Sequence, residues 1–386
     1  MHKMFQYRIY PTKKQLHKLN ETLEECRWLY NHLLESRKVA YEQRGESLSC
    51  YGQIDTFPML KQERLTLKNV HSQILQNVAV RVDLAFKAFF RRVREHAEEP
   101  GYPRFKGHNR YDSFTFPQSG FRIVSVVSVP RTASRTASHD DRVTLSKIGS
   151  VKMIYHRKIK GKIKTCTIRR SSTDKWYVCF SCECEPERLG PVATQVGIDV
   201  GLKTFATLSN GEAIPNPRFF RKEEKALAKV NRKHSQLAKG TPLRRKHRKV
   251  VARVHERIKF RRDNFTHQES RQIVDRFGVI CVEDLHVNRM VNHPCLSKSI
   301  GDASWSEFFR KLSCKAEEAG RSSVAVNPAY TSQTCSVCGH RQKMPLDVRV
   351  FACPCCHVHL DRDLNAAKNI LGLGLQSRVV PEAPGL

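Results

Sequence analysis

Gln195-Val196-Gly197-Ile198-Asp199-Val200-Gly201-Leu202-Lys203-Thr204-Phe205-Ala206 reads as a strand, a tight glycine turn and a returning strand. Asp199 stands among apolar neighbours, where a carboxylate is costly to bury unless it is paired or bound to a cation. Two further segments put acids at the ends of apolar elements. Gly278-Val279-Ile280-Cys281-Val282-Glu283-Asp284-Leu285 is a second apolar strand ending in Glu283 and Asp284, and Leu360-Asp361-Arg362-Asp363-Leu364-Asn365-Ala366-Ala367 sets Asp361 and Asp363 at the mouth of a final helix. Three carboxylates at three element ends can converge on one metal site. Taken singly, each also has a plainer reading: a strand-end aspartate in a turn, a surface glutamate, a helix N-cap.

Cys335-Ser336-Val337-Cys338 and Cys353-Pro354-Cys355-Cys356 form two C-x-x-C knuckles separated by the hairpin-length stretch from Gly339 to Ala352. Thiolates held two apart in tight turns point at one centre, and two such pairs complete tetrahedral zinc. Cys335, Cys338, Cys353 and Cys356 are the expected ligands, with Cys355, His340, His357 and His359 as spare donors. A four-sulfur site is coordinatively closed, so this Zn2+ is expected to be structural rather than catalytic. Cys179, Cys182 and Cys184 are read as small hydrophobes, since Cys179 points to the opposite face of its strand from the other two.

The 386 residues suffice for two or three folded units. Lys and Arg number 68 against 37 Asp and Glu, a net charge of +31. A compact chain with that excess repels itself unless a polyanion neutralises it, which points to nucleic acid. No stretch approaches the roughly 18 uninterrupted apolar residues of a membrane span, so no membrane partner is expected. Met1 to Tyr10 mixes charge into every few positions and lacks the apolar region of a secretory signal, and the expected location is cytoplasmic and nucleoid-associated.

Thr12 and Gln15 offer a capping box for a helix whose apolar stripe is Leu16, Leu19, Leu23, Cys26, Tyr30 and Leu33. A second stripe, Leu75, Val78, Val82, Phe86, Phe89 and Val93, predicts a helix that packs on the first. Between them and a β-rich stretch from Phe114 to about Pro186 lies Gly101-Tyr102-Pro103-Arg104-Phe105-Lys106-Gly107. Its aromatic and basic residues suit either base stacking and phosphate pairing, with Arg104 and Lys106 as contacts, or the anchoring of an ordinary loop. The repeat Arg131-Thr132-Ala133-Ser134, Arg135-Thr136-Ala137-Ser138 reads as a polar loop. Residues 218–262 read as two basic helices about the break Lys239-Gly240-Thr241-Pro242, a phosphate-tracking surface that includes Arg244, Arg245 and Lys246. From Gly372 onward the chain reads as a frayed end.

Asp199 in Gly-Ile-Asp-Val-Gly-Leu-Lys, Glu283 in Val-Glu-Asp-Leu, the run Tyr330-Thr331-Ser332-Gln333-Thr334-Cys335-Ser336-Val337-Cys338-Gly339, and Asp361-Arg362-Asp363-Leu364-Asn365-Ala366-Ala367-Lys368-Asn369-Ile370 together resemble the TnpB family. These are transposon-encoded RNA-guided DNA nucleases, often classed as transposases, and they resemble the type V CRISPR effectors. The resemblance spans nearly the whole chain, since the opening strand and Gly101 to Gly107 also look like that family's N-terminal half. The repeat insert and the extra Cys355 depart from the pattern, and neither touches the acids.

The resemblance implies an α/β RNase H-like (RuvC) nuclease domain over 191–330 and 358–372, with a zinc ribbon inserted at 331–357. Before it would come a β-barrel-like wedge unit, 1–10 and 112–190, interrupted by a helical recognition unit at 11–111, and after it a flexible tail at 373–386. Asp199, Glu283 and Asp363 would hold two Mg2+ or Mn2+ ions about 4 Å apart for phosphodiester hydrolysis, with no covalent protein intermediate. Asp363 is preferred to Asp361 because it stands two residues before the Asn-Ala-Ala run; Asp361 and Asp284 stay open. The implied partners are a guide RNA from the transposon end and double-stranded target DNA with a short flanking motif, read by base pairing. Two rival readings are a nuclease-inactive RNA-guided repressor, against which the intact acids argue, and a strand-joining transposase.

Overall fold

In the computed structural model, which describes residues 1–108, 110–128, 138–292, 294–345 and 348–379, the chain divides into two compact units, Met1–Glu185 and Pro186–Leu386. All but the last residue of the Arg-Thr-Ala-Ser repeat lies outside the described residues.

In the first unit β1 (His2–Tyr10) runs through the middle of a seven-stranded antiparallel sheet. The other strands are β2 (Ser113–Phe116), β3 (Phe121–Ser128), β4 (Ser138–Leu145), β5 (Gly149–Met153), β6 (Lys162–Arg170) and β7 (Trp176–Glu183), in the order β2-β6-β7-β1-β5-β4-β3. The sheet cannot be flat. Its outermost strands β2 and β3 would lie roughly 29 Å apart across six steps of about 4.8 Å, yet the five residues from Phe116 to Phe121 reach about 18 Å at most. The sheet therefore curls until the Phe116 and Phe121 rings meet at 6.4 Å, a barrel-like form around the fully buried Tyr7, Phe114, Phe116 and Phe180. Along β7, Trp176, Val178, Phe180 and Cys182 point inward. Cys179, Cys182 and Cys184 are buried and unpaired, as small hydrophobes are.

Between β1 and β2 the chain forms α1 (Lys13–Arg44), α2 (Cys50–Asp55), α3 (Phe57–Glu63) and α4 (Ser72–Arg94). The capping box forms, with Thr12 Oγ1 accepting from the Gln15 amide and Gln15 Oε1 accepting from the Thr12 amide. Gly45 closes α1 at φ 66°, a left-handed cap that glycine takes without strain. Leu19, Leu23, Cys26, Tyr30 and Leu33 pack against Leu75, Val78, Val82 and Phe86 of α4. Leu16 and Val93, at the open ends of the two stripes, are exposed instead.

The second unit is built on a five-stranded sheet in the order β10-β9-β8-β11-β12. β8 (Gln195–Val200), β9 (Thr204–Leu208) and β10 (Ala213–Pro215) form an antiparallel meander, while β11 (Val279–Glu283) and β12 (Ser322–Val326) run parallel to β8. The connection to β11 is a helical hairpin, α5 (Phe219–Gln236) and α6 (Pro242–Arg276), broken at Gly240 as expected. The connection to β12 carries α7 (Val287–Met290), α8 (Ser297–Ala303) and α9 (Trp305–Ala319). A two-residue period sorts the side chains. Val196, Ile198, Ile280 and Val282 join Ile273 of α6 and Phe308 and Leu312 of α9 in one core. Gly197 and Cys281 face the other side, where α10 (Arg362–Val379) lies.

That second face is unusually close. A Cβ on Gly197 would lie 2.1 Å from the Ala367 carbonyl oxygen, and one on Gly374 would lie 2.3 Å from Cys281 Sγ. Ala366, Ala367 and Ile370 are fully buried against the sheet. The expected frayed end is corrected here: the helix runs through Gly372 and Gly374 to Val379, because Gly374 lets it approach Cys281 and so gives it something to pack on. Before α10, β13 (Val350–Ala352) and β14 (His359–Asp361) pair as a small hairpin that runs directly into the helix.

Two glycines, one where α10 meets β8 and one on the open side of α10, test this packing. Gly197→Ala should lower the stability of the chain by about 3 kcal/mol, since backbone and not a movable side chain must give way. Gly372→Ala, which meets open space within the helix, should raise it by about 0.5–1 kcal/mol. Denaturant midpoints for the two proteins decide the matter; an unchanged midpoint for Gly197→Ala would mean that α10 does not bear on β8.

Candidate active site and zinc ribbon

Period and register bring the acids together. Gly197 pairs with Cys281 across β8 and β11, so two residues further on Asp199 and Glu283 end side by side on the face that α10 covers. Asp363 lies in the first turn of α10. Burial, then the charges of Glu283 and Asp363, push the Asp199 carboxyl well above the usual range, with Arg362 opposing and Asp361 adding least. Burial also raises Glu283, against a 2.6 Å hydrogen bond donated by the Thr331 hydroxyl. Asp363 is half-buried, with Arg362 Nε at 3.6 Å and Arg349 at 3.7 Å.

The two open acids part company with these three. Asp361 is exposed, and its Oδ1 accepts the backbone amides of Asp363 at 2.9 Å and Leu364 at 3.2 Å. It is the N-cap of α10, the plainer of the two readings its sequence allowed. Asp284 is exposed beyond the end of β11, its amide bonded to Val326. Asp199, Glu283 and Asp363 offer oxygen donors alone, the kind a hard divalent cation such as Mg2+ or Mn2+ takes; among the described residues the group of metal-ligating side chains whose donor atoms lie within 4.8 Å of one another is the four cysteines.

Cys335, Cys338, Cys353 and Cys356 converge, their Sγ atoms all within 4.8 Å of one another. Cys335 and Cys356, and Cys338 and Cys353, stand 3.6 Å apart; a tetrahedral zinc with bonds near 2.3 Å sets its sulfurs roughly 3.8 Å apart. The Cys356 backbone amide draws the Cys353 thiol down to about 6, while burial and the neighbouring sulfurs hold Cys338 and Cys356 up. Cys355, His340, His357 and His359 stay outside the cluster. Beneath it Phe351 is fully buried.

Sequence reasoning missed the residues that fasten this ribbon to the helix. Asn365, fully buried, accepts the Ser336 amide at 2.9 Å and donates to the Thr334 carbonyl at 2.7 Å. Asn369, one turn on, donates to the carbonyls of Thr331 and Thr334 at 2.8 and 2.6 Å. The available signal was two asparagines at i and i+4 on the apolar side of a helix, where an amide needs a partner.

The basic candidates divide. Lys106 is an anchor: its amide bonds to Asn31, its carbonyl accepts from Asn31 and Arg27, and its ammonium lies over Tyr30 at 5.4 Å. Tyr102 packs edge-on against Phe86 and Phe89. Arg104 and its neighbour Phe105 are exposed. In the α5–α6 hairpin, Arg244 ties the turn by donating to the Leu237 carbonyl, whereas Arg245 and Lys246 are exposed. Among the described residues no helix is long and apolar enough to cross a membrane.

Comparison with known proteins agrees with this architecture. Residues 179–293 match the family described as "Probable transposase", residues 305–370 the "Cas12f1-like, TNB domain", and residues 1–46 a "Helix-turn-helix domain"; the last stretch is here β1 followed by the single long α1. Among solved structures, the Cas12f1–sgRNA–target DNA complex aligns with a TM-score of 0.57 at 14% identity, over 91% of this chain and 81% of that one. The mini-RNA-guided endonuclease CRISPR-Cas_phi3 aligns with a TM-score of 0.57 at 10% identity, over 100% and 94%. The fold is thus of the class those two proteins share. A Streptomyces pristinaespiralis relative named "Putative RNA-guided DNA endonuclease" is 34% identical over 96% of this chain and 89% of its own length. The Escherichia coli K12 protein named "Putative RNA-guided DNA endonuclease InsQ" is 29% identical over 96% of this chain and 92% of its own length. The chain belongs to the TnpB family.

A pH dependence follows from the acids. The raised Asp199 carboxyl holds its proton more tightly in the folded chain than in the unfolded one. The stability this contributes is complete below the unfolded carboxylate range near pH 4, and is lost as pH rises through the higher folded value. Without added divalent ions, Asp199→Asn should therefore melt a few degrees above the parent at about pH 7.5, one kcal/mol being worth about 2–4 °C. The gap should close toward about pH 4. A lower melting temperature at the higher pH would mean that Asp199 is a paired structural group.

Proposed function

We propose that this protein is an RNA-guided DNA endonuclease that hydrolyses phosphodiester bonds at Asp199, Glu283 and Asp363. The observation that carries the reading is that Asp199 and Glu283 end neighbouring strands on the face α10 covers, and that the charges of Glu283 and Asp363 both raise the Asp199 carboxyl. A meander followed by two parallel strands, with the acids at the strand ends, is the arrangement expected of an RNase H-like (RuvC) nuclease domain. The barrel-like sheet is the proposed wedge, α1 to α4 the proposed recognition unit, and Cys335 to Cys356 a structural zinc ribbon.

The divalent ions these carboxylates would hold supply an activated water and neutralise charge on the leaving oxygen. The chain's own residues do the rest. Burial keeps bulk water from screening the site, and Arg349 and Arg362 set positive charge beside Asp363. The net charge of +31 suits two polyanions, a guide RNA and a double-stranded target with a short flanking motif. Exposed Arg104, Arg245 and Lys246 are the proposed backbone contacts, and a cytoplasmic, nucleoid-associated location suits those partners. The names of the relatives support the same reading.

The test is cleavage of a plasmid matching the RNA that co-purifies with the protein. Asp199→Ala, Glu283→Ala and Asp363→Ala should each abolish cutting while nucleic-acid binding survives, because losing one ligand misplaces the ions. Asp361→Ala should keep cutting and lose only the cap, about 1 kcal/mol. Mild chelation should stop cleavage, reversibly on adding Mg2+, and leave the thiolate zinc in place. Guide-dependent cutting by Asp199→Ala would overturn the reading, and joined strands in place of cut ends would favour a transposase.

A further inference from the structure

The Thr331 hydroxyl and Glu283 Oε1 lie 2.6 Å apart, and the two residues are 5% and 8% exposed, so water cannot replace the bond. The hydroxyl has one proton, and its other acceptor, the Pro328 carbonyl, is farther at 3.2 Å. Thr331 belongs to the segment that leads into the first knuckle, not to the sheet. That segment is held from α10: Asn369 grips the Thr331 and Thr334 carbonyls, and Asn365 grips Thr334 together with Ser336, the residue after the knuckle's Cys335. An unbroken line of hydrogen-bonded groups thus runs from the four-cysteine cluster to one oxygen of Glu283.

We propose that Thr331 is a positioning residue through which the zinc ribbon orients Glu283, engaging Oε1 so that Oε2 is the oxygen presented to a divalent ion. The proposal rests on the reading of Glu283 as a metal ligand. A carboxylate on a two-torsion stem has several rotamers, and a buried donor from a second element selects one of them. Without it Glu283 keeps its charge but not its aim.

The experiment is Mn2+ binding, read from the free-ion electron paramagnetic resonance signal, on the full-length protein and its Thr331→Val, Thr331→Ser and Asp363→Ala variants. Zinc content is measured on each by elemental analysis. Thr331→Val should weaken Mn2+ binding by about 10–100-fold, the range for losing a partner of a metal ligand, with zinc unchanged, and Thr331→Ser, which keeps the hydroxyl, should restore most of it. Parent-like Mn2+ binding by Thr331→Val alongside weakened binding by Asp363→Ala would overturn the positioning role and leave the metal site standing. Parent-like binding by both would overturn the metal site and the proposal with it. Loss of zinc from Thr331→Val, or failure of Thr331→Ser to restore binding, would assign Thr331 to the folding of the ribbon instead.

Discussion

The absence of a side chain at Gly197 is the constraint on which the second unit depends. With any Cβ at that position the Ala367 carbonyl would have to move, and α10 with it. Because β8 alternates, the glycine that admits the helix and the aspartate two residues on must share a face, so the same close approach that seats α10 brings its first turn to Asp199. Glycine in Gly-Ile-Asp and the small residues in Asn-Ala-Ala are two sides of one contact. Ala366 and Ala367 fill what little space is left, and Gly374 repeats the device one strand over, against Cys281.

Gathering these acids carries a cost to the fold. Burial, with the charges of Glu283 and Asp363, raises the Asp199 carboxyl, and burial raises Glu283, so ionising either one costs the fold. Arg349 and Arg362 offset part of this at Asp363. Strain of this kind is tolerated where surrounding structure over-determines it, and here the determination comes from two directions. The sheet holds Asp199 and Glu283 by register, while the ribbon, through Asn365, Asn369 and Thr331, fastens the helix that carries Asp363. The four cysteines are therefore more than a local staple, since the hairpin they close leads straight into α10.

How far this was legible in the sequence depended on whether a residue's partner was near it. Asp199 and Glu283 could be read because apolar alternation marks their strands and each acid stands at a strand end. The cysteine pairs could be read because knuckle spacing is itself the geometry. Asp361 and Asp363 could not be separated by spacing, since both sit at a helix start; the two amides bonded to Asp361 make the distinction. Thr331 carried no local mark, its partner lying 48 residues away. At Lys106 the sequence allowed both a phosphate contact and a loop anchor, and only the fold reveals that its backbone bonds to Asn31 and Arg27, as it reveals the bond of Arg244 to the Leu237 carbonyl. The end of α10 was misread because two glycines suggest fraying until the Cys281 surface that Gly374 approaches is known.

The central claim is that Asp199, Glu283 and Asp363 bound one divalent-cation site. Anomalous scattering from crystals of the protein soaked in Mn2+ tests it most directly. The account predicts manganese peaks enclosed by those three carboxylates and a separate zinc peak among Cys335, Cys338, Cys353 and Cys356. Manganese held by Asp361 or Asp284, with none beside Asp199, would contradict it.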